Sequence, residues 1–154
     1  MSDVADTGAA PADGPREGLE LFEVLETLAD RECKITEAIY PLFFERMPDV
    51  RPLFGVHALA EREEMIRETL RSLLALAEGG GHLAANLEAL CRSHFEYGVT
   101  GDMYRAFVDA FVDVASPGLR DVSREALRQG LASITDSMRR AGDEAAREHA
   151  ARHP

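Results

Sequence analysis

The chain has 154 residues, the size of one domain and enough to bury a sizeable core. Its 45% apolar and 29% charged residues make a globular profile, neither disordered nor membrane-embedded. A net charge of −11 repels phosphate backbones, which argues against general nucleic-acid binding.

No apolar run of about 18 residues is present, nor a basic-then-apolar leader, so no membrane partner and a cytoplasmic location are expected. Cys33 and Cys91 lie far apart and form no CxxC pair. They read as buried, reduced thiols.

Residues 1–18 hold Gly, Pro, Ala and Asp with almost no large apolar side chain, the composition of a disordered leader. A helical stripe of Leu21, Phe22, Leu25 and Leu28 follows over 19–29. Ile35, Ile39, Leu42 and Phe43 mark a second helix over 34–45. Pro41 inside it removes a backbone donor, yet the periodicity continues through. Pro48 and Pro52 punctuate a turn that closes on Leu53, Phe54 and Gly55. The spacing of Met65, Ile66, Thr69, Leu70, Leu73 and Leu74 predicts a long helix over 58–78, stopped by Gly79, Gly80 and Gly81.

In the next segment Leu83, Leu87, Leu90 and His94 recur at steps of four, three and four, on one helical face. His94 therefore points inward. Gly98 supplies a left-handed C-terminus, and Thr100-Gly101-Asp102 opens another helix over 102–115, with Met103, Phe107, Ala110, Phe111 and Val114 as its stripe. Ser116-Pro117-Gly118 breaks it. The last helix runs from about 123 to beyond 141, with Leu127, Leu131, Ile134 and Met138 inward, and Ser123 with Glu125 suits its start. Residues 142–154 form a charged, Ala-rich tail, helical or frayed. No period-two alternation and no internal repeat occurs, so the fold class is all-α. An inward imidazole can ligate a metal or haem, but taken alone it reads more readily as a hydrogen-bonded core histidine. Ser-His-Asp arrangements, phosphate loops, metal-ligand clusters and paired catalytic carboxylates are not evident.

Several of these pieces together resemble the globin family, in its bacterial single-domain branch. They are Ile39-Tyr40, Phe43-Phe44-Glu45-Arg46, Pro48 and Leu53-Phe54; the helix around Glu61 and Met65; and His94, Tyr97-Gly98-Val99 and Tyr104. The resemblance covers about 19–140 and implies a globin domain over 19–141: a globin-like bundle of six to eight helices around a haem pocket. It implies haem b as cofactor, with His94 as the proximal iron ligand. Phe54 would lie flat on the macrocycle, Val99 would touch its proximal face, and Met65, Leu90 and Phe107 would complete the wall. Tyr40 would donate to a bound gas; its alternative is a packing tyrosine bonded to a backbone carbonyl. Glu61 falls where globins often place His or Gln. It would swing to solvent, or accept from Tyr40 or water, or yield the position to Arg62 through a register slip. His57 and His82 read as surface residues, although His57 could reach the iron as a sixth ligand.

The function so implied is reversible binding of a diatomic gas (oxygen, nitric oxide or carbon monoxide). Nitric oxide dioxygenation would need an external reductase. The alternatives are a stand-alone gas or redox sensor that signals through a partner protein, and a haem-free globin-like interaction module. A homodimer through the last two helices is a further expectation, by analogy alone.

Overall fold

A computed structural model describes residues 14–55, 58–80 and 83–154; His57 and His82 lie outside them. Among the described residues the chain forms α1 (Gly14–Ala29), α2 (Glu32–Arg46), a 3-10 helix (Pro48–Leu53), α3 (Ala58–Ala77), α4 (Leu83–Glu96), α5 (Gly101–Ala115) and α6 (Asp121–Arg152). No strand occurs among them, so the fold is all-α as its periodicity predicts.

The helix borders depart from expectation in three places. First, α1 begins at Gly14, so 14–18 is helical rather than part of a leader; Pro15 is tolerated there because a first-turn residue needs no intrahelical N–H. Second, α6 begins at Asp121, and Ser123 is buried in its first turn instead of capping it. Third, α6 continues to Arg152, consistent with the strong helix propensity of its Ala, Glu and Arg residues. Pro41 does not interrupt α2, whose Ile35, Ile39, Tyr40 and Phe43 are buried. Two side chains also differ from expectation. Cys33 is exposed, whereas Cys91 is buried, and Leu74 turns outward at 41% exposure.

The helices cross in pairs: α1 packs on α3 and α6, α2 on α5, and α6 also on α4 and α5. Their apolar stripes meet in one core that includes Leu28, Ile39, Leu73, Phe111 and Leu127. At the junction of α1, α3 and α6, leucine side chains of α1 and α3 pack directly on Gly130. A Cβ there would stand 3.0 Å from Leu73 Cδ2 and 3.6 Å from Leu21 Cδ2.

The hinge between α4 and α5 carries the most weight for function. Gly98 has φ of +77°, a conformation that costs a side chain about 1–2 kcal/mol. The reversal lets Val99 N–H donate to the His94 carbonyl at 3.1 Å, the long bond of a Schellman motif. Val99 is thereby fixed beside His94. Thr100 then caps α5, its hydroxyl accepting from Met103 N–H at 3.3 Å.

Candidate functional site

Between α3 on one side and α4, α5 and α6 on the other lies a cavity of about 510 Å³. That volume falls within the range of about 300–1,000 Å³ usual for cofactor and small-molecule sites. Phe54, Met65, Leu90, Val99 and Phe107 all line it, together with Glu61 and His94. Seven of the eight residues read from the sequence thus meet on one wall system; Tyr40 does not line it.

His94 is half-buried at the last turn of α4. Its Nδ1 lies 2.7 Å from the Leu90 carbonyl, one helical turn back. A carbonyl oxygen only accepts, so Nδ1 carries the proton. Burial holds the imidazole below its ordinary pKa, against a smaller upward pull from the Leu90 bond. A neutral ring with its proton on Nδ1 leaves the lone pair on Nε2. Tyr104 stacks on the ring, centroids 5.9 Å apart and planes 28° from parallel. Burial, and next the nearby Cys91, push the pKa of its phenol above the ordinary value.

On the opposite wall the face of α3 is mixed. Glu61, Met65, Thr69 and Ser72 recur along it at helical spacing, and Glu64 and Glu68 flank them. Glu61 rather than Arg62 faces the cavity. It is exposed to solvent, the first of its expected outcomes, and its carboxylate also accepts from Gly55 N–H at 3.1 Å. Arg62 turns instead to the aromatic cluster outside, its guanidinium 4.9 Å from the Phe44 ring centre.

The expectation that Tyr40 faces a ligand gives way to its alternative in this structure. The side chain is buried, and its hydroxyl donates to the Arg62 carbonyl at 3.0 Å. Its ring meets Phe54 edge-on at 5.5 Å, so Tyr40 stands behind Phe54 and supports it. A contact with a ligand would require the hydroxyl to exchange acceptors.

No protein-family model and no curated protein matches the chain. Among solved structures it is similar to a bacterial globin from Campylobacter jejuni, with a TM-score of 0.71 at 13% identity. The superposition covers 84% of this chain and 96% of that one. The fold is a globin fold.

Part of the cavity wall of this globin fold escaped sequence reasoning. Leu131, Ile134 and Met138 read as plain core, yet with Thr135 they close the cavity from α6. An apolar stripe looks the same whether it packs on side chains or on open space. Ser72 and Thr69 gave a signal that went unused: polar residues within an otherwise inward face. Thr69 meets its need for a partner within the helix, donating to the Met65 carbonyl at 2.7 Å.

Proposed function

We propose that this globin fold binds haem b through His94 and uses it to bind a diatomic gas reversibly. The observation that carries this reading is the Nδ1–H donation of His94 to the Leu90 carbonyl, which turns a neutral Nε2 lone pair into ligand-ready form. The apolar interior suits an iron porphyrin as well. Phe54, Met65, Leu90 and Val99 would bury the macrocycle, at about 25 cal/mol per Å² of apolar surface removed from water. Haem so held would supply a ferrous iron able to take oxygen, nitric oxide or carbon monoxide as its further ligand.

The remaining roles belong to the chain. Gly98 and the Val99–His94 bond fix the height of the imidazole, and Tyr104 limits its rotation. A carbonyl partner on Nδ1 makes the imidazole less basic than a carboxylate partner would, which favours reversible binding over bond cleavage. Met65 and Phe54 present apolar surface to the cavity from the other wall. Hemin titration of wild type and His94→Ala tests the reading. Wild type takes up hemin stoichiometrically and keeps it through desalting; the variant loses most of it while retaining its helical circular dichroism. Tight, stoichiometric hemin in His94→Ala would overturn the assignment.

A further inference from the structure

Beyond the cavity wall, α6 carries on past the packed body of the fold. Met138 is its last residue on the main cavity, and Ala146 its last on a smaller cavity beside Cys91. Residues 147–154 are exposed throughout. At a rise of 1.5 Å per residue, His149 stands about 17 Å along the helix axis from Met138.

Two of the five histidines, His149 and His153, meet on this exposed end. A spacing of four puts both side chains on one helical face. His153 N–H donates to the His149 carbonyl at 3.1 Å, so the turn between them is closed although His153 has left helical angles. The two rings stand with centroids 4.8 Å apart and planes tilted by 53°. No ring nitrogen of either takes part in a hydrogen bond or ion pair among the described residues.

Free imidazoles at this spacing suit one chemistry above others. Two histidines at i and i+4 on a helix can ligate one divalent metal ion, as they do in H-x-x-x-H sites. Ligand nitrogens at about 2.0–2.1 Å from a tetrahedral ion lie about 3.3 Å from each other. Ring centres 4.8 Å apart leave facing nitrogens within reach of that separation. No third His, Cys, Asp or Glu is grouped with them among the described residues, so water fills the other positions. Imidazole suits copper, nickel and zinc, whereas magnesium prefers oxygen.

We propose that His149 and His153 form a two-histidine chelate for a late first-row divalent ion, Cu²⁺ most tightly and Ni²⁺ and Zn²⁺ after it. The site is separate from the cavity and independent of the haem reading. The net charge of −11 attracts every cation, but without regard to metal type or to these two rings.

The test is isothermal titration of the full chain, prepared without an affinity tag, with Ni²⁺ at about pH 7.5, where imidazole is neutral. Mg²⁺ serves as the charge control and gives no comparable heat. His149→Ala and His153→Ala each leave a single imidazole and weaken the tightest Ni²⁺ binding about 100-fold, the scale at which a second tethered contact raises affinity. Glu148→Gln removes a neighbouring charge but no imidazole, and leaves Ni²⁺ binding within about twofold. Circular dichroism reports folding of each variant. Unchanged Ni²⁺ binding in either folded alanine variant, no Ni²⁺ binding by the intact chain, or an equal response to Mg²⁺ overturns the proposal.

Discussion

His94 couples stability to pH before any ligand binds. Burial depresses its folded pKa, while the unfolded chain keeps the ordinary histidine value near 6.5. Between the two values the unfolded state binds more protons, so stability rises with pH in that window. Above about pH 6.5 the ring is neutral in both states and costs nothing; the penalty grows as pH falls and levels off beneath the folded value. Urea unfolding of the apoprotein at about pH 7 and about pH 5 should show this loss, and His94→Gln should reduce it. An equal loss in the variant would place the titration elsewhere. Tyr40 makes the opposite kind of prediction. If its hydroxyl serves the Arg62 carbonyl, Tyr40→Phe costs about 1 kcal/mol of stability and leaves carbon monoxide dissociation from the hemin-loaded, reduced protein within about twofold. A large acceleration would return the hydroxyl to the ligand's side. His94 was legible because helical period alone sets its direction. The Tyr40 partner was not, since Arg62 lies 22 residues away and only tertiary packing brings them together.

Among the elements, α3 and α6 show most clearly where period suffices and where it fails. Alternating steps of three and four placed α3 within a residue of its observed ends and put Met65 on its inward stripe, whereas Glu61 entered only through the globin resemblance. The same reading gave Leu74 to the inside, although it stands at the edge of a stripe whose width depends on the neighbours. In α6, Gly130 looks like a weak point in a helix, because glycine lowers propensity by about 1 kcal/mol. The structure gives it a reason: the Leu73 and Leu21 side chains of α3 and α1 fill the space next to its Cα. Gly130→Val should therefore lower stability by about 1–3 kcal/mol despite the gain in backbone rigidity, as measured by denaturant midpoint at unchanged slope. Equal or greater stability would mean that α1 and α3 can part there without cost.

At the scale of the whole molecule, a few joints hold this globin fold together. The aromatic layer of Phe43, Phe44, Tyr40 and Phe54 joins α2 to the 3-10 helix. The Gly98 reversal joins α4 to α5, and α6 closes the cavity from behind. The sequence-readable part of the site comprised the residues aimed by a single helix or turn. The acidic residues on the α3 side of the cavity were legible only as solvated glutamates, because lining a cavity is a property of two helices together. No described helix is long and apolar enough to cross a membrane. The proposed function makes one demand that neither fold nor cavity volume imposes, an iron with room for a gas. The most direct measurement is the absorption spectrum of the hemin-loaded protein, ferric, then reduced with dithionite, then under carbon monoxide. The account predicts an intense Soret band that shifts when carbon monoxide is added. A protein that remains colourless after hemin addition and desalting would contradict it, and His94 would revert to a core histidine hydrogen-bonded to Leu90.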